Sequence, residues 1–435
     1  MAWTCPVWRG VSMRVDITTA LLCALLRLAH AELPGTLAGL VDVRGLAVEG
    51  SSDLLSLTAP PGQSAYRWAA FPVPASIGPL GERATLAADV RNTGGRQVRV
   101  MLWVVGDRGW DAAPAEAVLD PGATGRLTCH LRETWPDGTP RIDPNQVKQI
   151  QVMTLGHLHE VAQLEVRNLH AAGIAPPWKR PASRLDVPTV EEGAPAPGRR
   201  VRFRLRGDET TGVYSVLHLP ADWEPGASYP VIAEYPGNIF FIPGCYSTGR
   251  PEQCVIGYGI TKGRGAICLS LPFVDRTAGS IAEDGWGHPD DTAAYAVEMV
   301  EEVCARFGGD LRNVVLTGFS RGALACGFIG LRNERIATLW KGFHACQHSD
   351  GDGWRGATLE SAIERAKRFQ GQAVFQTDNA EATFRPVMEA MKTRVTFAKS
   401  GLGAHATAMF LDDRPSTRQL REWFWQLVDA PPSPP

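Results

Sequence analysis

The segment VVLTGFSRGALACGFIG, residues 314–330, passes from an apolar strand pattern into a helix of small residues through the turn GFSRG at 318–322. A Gly-Xaa-Ser-Xaa-Gly sequence between a buried strand and a helix is typical of a nucleophile elbow, whose strained turn lifts the serine hydroxyl clear of a sheet. Side chains at Gly318 and Gly322 would collide with neighbouring backbone in such a turn. The segment therefore predicts that Ser320 is a nucleophile, which needs a base and an orienting carboxylate.

The chain from residue 201 onward repeats the same strand-then-helix order. Apolar strand patterns recur in PVIAEYPG, GAICLSLPF, AVFQTD and RVTFAKS, and helical patterns include DTAAYAVEMVEEVCARF and TRQLREWFWQLV. Strands that alternate with helices of about 10–15 residues predict a parallel sheet covered by helices on both faces. The fold class predicted for this part of the chain is therefore α/β.

Together with GFSRG, the stretch LPADWEPGASYPVIAEYPGN resembles the α/β-hydrolase superfamily, and specifically its secreted serine esterases. The resemblance covers residues 201–428 and implies an α/β-hydrolase catalytic domain at 201–430, with a mostly parallel sheet and helices on both faces. Members of the family carry serine, acid and histidine in that order. The resemblance implies that Ser320 attacks, that His405 in SGLGAHATAM takes its proton, and that Asp378 at the end of AVFQTD orients the imidazole.

Two further carboxylates are alternatives to Asp378. Asp350 and Asp352 lie in HACQHSDGDGW, after the strand that precedes AVFQTD, and some hydrolases place the acid there. The same segment holds His344 and His348, so its side chains include the ligand types of a metal site. We expect the segment instead to form a turn or to line the rim of the pocket. The Ser-His-Asp mechanism that the resemblance implies requires neither a metal nor an organic cofactor.

The resemblance also implies an oxyanion hole made of two preorganised N–H donors. The backbone of Arg321, the residue after the nucleophile, is one donor, and Gly237 or Asn238 in YPGNIFF is the other. The family often has histidine where YP stands here, so both residues stay open as the second donor. The Arg321 side chain is a further candidate, which would hold an oxyanion or a substrate carboxylate, or else pair with a structural acid. Glucuronoyl esterases also carry arginine after their serine, but the longer pattern differs.

Residues 32–173 lack a long amphipathic helix. Short alternating runs such as LLSLTA, VRVMLWVVG and AQLEVRNLHA are separated by turn clusters, which predicts an antiparallel β-sandwich. The stretch IDPNQVKQIQVMTLGHLHEVAQLEVRNLHAAG resembles the last two strands of galactose-binding-like jelly rolls, which often accompany enzymes acting on polysaccharides. Residues 174–200 are rich in proline and charge and predict an extended linker, and PPSPP at 431–435 predicts a disordered tail.

Residues 1–31 have the features of a cleaved signal peptide: Arg14, the apolar run ITTALLCALLRLA and the small residues AHA at the cleavage point. We therefore expect a secreted or periplasmic protein that is not held at a membrane after cleavage. In such a protein Cys245 and Cys254, which flank the turn-rich YSTGRPEQ, are candidates for a disulfide, the alternative being two free thiols.

The overall composition fits a globular protein and gives no sign of a nucleic-acid partner. The chain has 435 residues, 44% of them hydrophobic and 21% charged, and a formal net charge of −2 without a long basic run. We expect a secreted serine hydrolase that cleaves ester bonds in a small molecule or an acylated polysaccharide. The alternatives are a serine peptidase or polyester depolymerase on the same fold, and a carbohydrate-binding protein with an inactive hydrolase domain.

Overall fold

The computed structural model describes residues 39–50, 53–62, 64–106 and 111–428. The signal peptide expected at 1–31 and the tail expected at 431–435 lie outside the described residues. The described chain divides into two compact units that alternate along the sequence. The first unit contains the described residues up to 102 together with 117–129 and 152–176, and the second contains those within 103–116, 130–151 and 177–428.

Ten strands, β1 to β10, form two five-stranded sheets. They are Asp42–Arg44, Ala47–Gly50, Leu54–Ala59, Tyr66–Phe71, Arg83–Asn92, Val98–Gly106, Ala112–Leu119, Thr124–His130, Val147–Leu155 and Ala162–Ile174. The orders are β1-β4-β9-β6-β7 and β2-β3-β10-β5-β8, and β10 pairs antiparallel with both β3 and β5. Along β3, Leu55, Leu57 and Ala59 are buried and the residues between them are half-buried, as the alternating pattern of LLSLTA predicts.

The second unit is built on a nine-stranded sheet with helices. Its strands, β11 to β23, are Val190–Glu191, Arg200–Phe203, Ser215–His218, Tyr229–Tyr235, Phe240–Ile242, Cys245–Ser247, Ile267–Ser270, Val274–Asp275, Ser280–Ile281, Gly309–Phe319, Gly342–Cys346, Ala373–Thr377 and Val395–Ala398. Its helices, α1 to α7, are Ile256–Thr261, Pro289–Phe307, Arg321–Phe328, Glu334–Ala337, Leu359–Ala366, Glu381–Met391 and Pro415–Leu427. No helix in the described part of the chain is both long and apolar enough to cross a membrane.

The large sheet is mostly parallel. Its strand order is β11-β12-β13-β17-β14-β20-β21-β22-β23, while β15 with β16 and β18 with β19 form separate hairpins. The six strands from β17 to β23 in this order pair in parallel, whereas β13 pairs antiparallel with both β12 and β17. The parallel arrangement expected from alternating strand and helix patterns is therefore present. The sequence does not predict the hairpins or α1, because elements of two to six residues are too short to show a period.

Alternate residues of the central strands are buried on opposite faces of this sheet. On β14, Val231 and Ala233 pack into one apolar core and Ile232 packs into the other. Helix α2 contributes Val300 to the first core, and α7 contributes Phe424 to the second. Because helices cover both faces, the loops at the carboxyl edge of the parallel strands are the place where this sheet can build a site.

Part of the segment expected to be a linker packs in the second unit. Strand β11 pairs in parallel with β12. The Leu185 N–H donates to the Leu411 carbonyl at 2.7 Å, and Val187 is buried against Val255 and Leu411. The apolar side chains at 185 and 187 therefore hold the middle of this proline-rich segment in place. The domain limits at 173 and 200 stay predictions.

We predict that Gly322→Ala destabilises the second unit. Gly322 lies in the first turn of α3, and a Cβ there would overlap the carbonyl oxygen of Tyr235 at the end of β14. Forcing a methyl group into this contact should lower the free energy of unfolding by about 1–3 kcal/mol, as measured by urea denaturation. Gly95→Ala is the control, because a Cβ at Gly95 would have no atom within 4 Å. Equal losses in the two variants would contradict close packing of α3 on β14.

Candidate active site

Ser320 occupies the tight turn between β20 and α3. Its backbone angles are φ 55° and ψ −118°, a strained conformation for a residue with a side chain. The turn is so tight that a Cβ at Gly318 would overlap the carbonyl oxygen of Gly322, as the sequence motif predicts. The Ser320 carbonyl accepts from the N–H groups of Ala323 (2.9 Å) and Leu324 (3.1 Å), which starts α3 at the nucleophile.

His405, in the loop after β23, lies next to Ser320. Ser320 Oγ and His405 Nε2 are 2.9 Å apart, and the His405 ring packs against Phe319 with the ring centroids 4.6 Å apart. Burial, and to a lesser degree the neighbouring His348, lowers the pKa of His405 to about 4. The imidazole is therefore neutral at pH 7, which is the state in which Nε2 can accept the hydroxyl proton.

Asp378 directly follows β22. Among the described residues its carboxylate makes no hydrogen bond to the His405 ring. Its carboxylate accepts from the Ser400 N–H (2.7 Å), the Ser400 hydroxyl (2.5 Å) and Gln347 Nε2 (3.3 Å). Gln347 Nε2 also donates to the carbonyl of Ala404, the residue before His405. Asp378 therefore holds the loop that carries the histidine, whereas the sequence predicts that it orients the imidazole.

The two alternative acids have other partners. Asp350 forms a bidentate ion pair with Arg365, with both N–O distances 2.8 Å and both side chains buried. Asp352 accepts from His348 Nδ1 at 2.9 Å, and the His348 ring lies 5.6 Å from the His405 ring between centroids. Asp350 is thus part of a structural ion pair. Asp352 contacts His348, whose ring in turn lies beside the His405 ring.

The Arg321 side chain plays neither of the roles considered for it from the sequence. It is buried, and its Nη2 donates to the Gly237 carbonyl at 2.9 Å instead of facing a substrate or a structural acid. The Arg321 backbone N–H is at the start of α3, where it has no acceptor within the helix. The Asn238 side chain is also occupied, because it donates to Asp284 (2.8 Å) and accepts from the Gly285 N–H (2.9 Å). The Arg321 guanidinium and the Asn238 amide are therefore both engaged in contacts within the protein.

A cavity of about 200 Å³ opens at Ser320. Its lining combines aromatic and apolar side chains with a few polar ones: Asn238, Phe240, Cys245, Ser247, Phe319, Ser320, Arg321, Leu324, His348, Asp352, Trp354 and His405. The expectation that HSDGDGW lines the rim is met by its first, fifth and last residues, at 348, 352 and 354. Phe240 could not be identified from the sequence, because β15 has only three residues.

The disulfide expected between Cys245 and Cys254 is not formed, and both are free, buried thiols. Cys254 Sγ donates to the carbonyl of Glu234 at 3.6 Å, so it faces β14. Burial raises the pKa of Cys245 to about 12, which keeps it protonated and unreactive. The YSTGRPEQ loop is held by noncovalent contacts: β15 pairs with β16, and Arg250 forms an ion pair with Glu283 at 2.6 Å.

His344 does not join the residues that follow it in the sequence. It is fully buried in β21, where Nδ1 and Nε2 contact the hydroxyls of Thr317 (2.8 Å) and Thr377 (2.9 Å) on the two neighbouring strands. Burial lowers its pKa to about 3, so it is a neutral core residue. Among the residues that the structure describes, no cluster of three or more His, Cys, Asp or Glu side chains is suited to hold a metal ion.

No protein family model matches the chain, and no curated protein matches it. Solved structures resemble it distantly. The AtxE2 isopeptidase in complex with an astexin is 13% identical with a TM-score of 0.39, and the match covers 90% of this chain and 76% of that one. Thermogutta terrifontis esterase 2 phosphorylated by paraoxon is 18% identical with a TM-score of 0.35, and the match covers 49% and 87% of the two chains. An exo-beta-agarase is 14% identical with a TM-score of 0.23, and the match covers 32% of this chain but only 23% of the agarase.

We predict that His405 titrates far below an ordinary histidine. Its pKa near 4 means that the ring is protonated below that pH and neutral above it, so a base at Nε2 is available across the neutral range. NMR titration of the ring, assigned with a His405→Gln variant, measures this directly. A midpoint near the ordinary value of about 6.5 would contradict the prediction and would mean that a carboxylate such as Asp378 contacts the ring in solution.

We predict that Asp350→Ala destabilises the protein, because it leaves Arg365 buried without its partner. Breaking a buried ion pair in this way typically costs about 3–5 kcal/mol of unfolding free energy. Asp290→Ala is the control: Asp290 pairs with Arg332, but its side chain is 77% exposed. Urea denaturation of both variants tests the difference, and a loss for Asp350→Ala no larger than for the control would rule out a structural role for the pair.

Proposed function

We propose that this protein is a serine hydrolase that cleaves carboxylic esters through an acyl-enzyme intermediate. The observation that carries the proposal is the 2.9 Å separation of Ser320 Oγ and His405 Nε2 at a strained strand-to-helix turn that opens into a cavity. A serine hydroxyl becomes an effective nucleophile only when a neighbouring base takes its proton. A neutral histidine at hydrogen-bond distance supplies that base.

The reaction proceeds in two halves. His405 takes the hydroxyl proton while Ser320 Oγ attacks the ester carbonyl carbon, and the carbonyl oxygen becomes an oxyanion. The backbone N–H of Arg321, which is not used inside α3, stabilises that charge together with a donor from the turn after β14. The intermediate collapses as His405 returns the proton to the leaving alcohol, and the acyl group stays on Ser320. Water then attacks with His405 as the base again, and the free acid leaves.

Asp378 supports the base through the loop that carries it. Its carboxylate fixes both polar groups of Ser400, and the Gln347 amide that it accepts from also holds the Ala404 carbonyl. These contacts limit the motion of His405 relative to Ser320. In this proposal Asp378 remains the acid of the site, acting on the position of the histidine.

The lining of the cavity favours esters of sugars or other polyols. Phe240, Leu324 and Trp354 give a small apolar surface that suits a short acyl group. His348 and Asp352 line the same cavity as a hydrogen-bonded pair and offer polar groups to the hydroxyls of the alcohol part. We propose an acylated oligosaccharide or polysaccharide as the substrate, met outside the cytoplasm if the leader at 1–31 directs export.

We predict that Ser320→Ala abolishes hydrolysis of p-nitrophenyl acetate while the protein stays folded. Loss of the nucleophile typically lowers the rate on the order of 10⁴-fold or more, and alanine is small enough for the turn. Ser361→Ala is the matched control, because Ser361 lies on α5 and its hydroxyl hydrogen-bonds to Thr358 and Arg365, away from Ser320. Activity that survives in purified, folded Ser320→Ala would end the assignment of the nucleophile.

The same assay separates the substrate classes. Wild-type protein should release acetate from acetylated oligosaccharides faster than it cleaves peptides or a polyester, and Ser320→Ala should cleave none of them. Preferred cleavage of a peptide or of a polyester would replace the sugar-ester proposal. If wild-type protein cleaves none of these substrates, the result would favour a carbohydrate-binding protein with an inactive hydrolase domain.

A further inference from the structure

The Arg321 side chain joins three loops of the second unit. All four acceptors are backbone carbonyls: Nη1 donates to Ala282 (3.0 Å) and Gly285 (2.7 Å), and Nη2 donates to Gly237 (2.9 Å) and Gly249 (3.0 Å). The residue is 1% exposed, and its guanidinium lies over the Phe273 ring at 3.9 Å from the centroid. No carboxylate of the described residues pairs with it. The side chain is therefore committed to holding backbone.

The geometry of a guanidinium makes these contacts specific. Its donors are fixed in one plane, so four carbonyls that bind it together have their directions fixed as well. The acceptors lie in three loops, one after β14, one after β16 and one, which supplies two of the carbonyls, between β19 and α2. Arg321 directly follows Ser320, so the residue that ties these loops together also shares a peptide bond with the nucleophile.

One of the four contacts determines the direction of a second N–H group. The Gly237 carbonyl and the Asn238 N–H belong to the same peptide group, and in a trans peptide they point in opposite directions. Because the carbonyl points to the buried Arg321 Nη2, the N–H points away from it. No hydrogen-bond acceptor for the Asn238 N–H exists among the described residues.

Gly237 and Asn238, the two candidates for the second oxyanion donor, line different cavities. Asn238 lines the cavity that contains Ser320, Arg321 and His405. Gly237 lines a different cavity, which is lined by Phe319 and His405 but not by Ser320 or Arg321. A Cβ at Gly237 would approach the Phe319 ring at 3.2 Å, so this residue is packed against the strand below the nucleophile.

We infer that Arg321 is a positioning residue that assembles the oxyanion hole from both sides. Its own backbone N–H is one donor, and its side chain fixes the Gly237–Asn238 peptide so that the Asn238 N–H is the other. This inference rests on the proposed ester hydrolysis and adds to it which peptide supplies the second donor and what holds that peptide. The side chain itself does not touch the substrate.

The test compares Arg321→Lys with wild type. Lysine keeps the charge but cannot bind four carbonyls in one plane, so the Gly237–Asn238 peptide loses its constraint. With p-nitrophenyl acetate, kcat should fall about 10²-fold or more, the effect of losing one oxyanion donor. KM should change by less than about threefold, because the donors act on the transition state. The inhibition constant of phenylboronic acid, which forms a tetrahedral adduct on the serine, should rise along with the loss in kcat.

Arg200→Lys is the matched control for loss of a buried arginine. Arg200 is also nearly fully buried and donates to three backbone carbonyls, those of Pro188, Glu252 and Cys254. We expect Arg200→Lys and Arg321→Lys both to have a lower melting temperature than wild type. At a temperature where all three proteins are folded, kcat of Arg200→Lys should stay in the wild-type range. A purely structural role for Arg321 would give the two variants the same kinetics.

The outcomes separate the inference from the proposed function. If wild type hydrolyses the ester and folded Arg321→Lys matches it in kcat, the inference is overturned and the proposed function stands. If wild type hydrolyses no ester, both fail. If Arg321→Lys does not fold, a crystal structure of the wild-type phosphonate adduct decides. A phosphoryl oxygen about 3 Å from the backbone nitrogens of both Arg321 and Asn238 supports the inference. A phosphoryl oxygen directed elsewhere overturns it.

Discussion

The strained backbone of Ser320 is the constraint on which the rest of the site depends. A residue with φ 55° and ψ −118° between a buried strand and a helix persists only because its surroundings fix it. Gly318 and Gly322 leave room for α3 to pack against the carbonyls at the end of β14, and the helix begins directly on the Ser320 carbonyl. The hydroxyl is thereby presented at the carboxyl edge of the sheet, where the loop after β23 brings His405 to 2.9 Å.

The second constraint is the buried charge of Arg321. Taking a guanidinium out of water is costly, and hydrogen bonds to a charged group return about 1.5–3 kcal/mol each. Four carbonyl acceptors and the face of Phe273 therefore make burial of this side chain feasible, at the cost of fixing the loops that supply them. Loops fixed before the substrate arrives need no reorganisation during the reaction, which is the condition for effective stabilisation of an oxyanion.

The sequence predicts those features of the site that depend on local pattern. The GFSRG turn between an apolar strand and a helix predicts the conformation of Ser320, and the alternating pattern of LLSLTA predicts the buried face of β3. The direction of the Arg321 side chain could not be predicted, because its acceptors lie 36 to 84 residues away in sequence. The hydrogen bonds of Asp378 could not be predicted either, because its donor Ser400 lies 22 residues further along the chain. The free thiols at 245 and 254 could not be predicted from their spacing, because the partner of Cys254 Sγ is the Glu234 carbonyl on β14.

Activity-based labelling tests the central claim most directly, because it reports whether Ser320 is an activated nucleophile independently of the true substrate. Wild type, Ser320→Ala and His405→Ala would be treated with a fluorophosphonate at neutral pH, and the modified residue located by peptide mass mapping. The account predicts rapid labelling of wild type at Ser320, none in Ser320→Ala and much slower labelling in His405→Ala. Labelling at a different residue, or equal labelling rates with and without the His405 side chain, would contradict it.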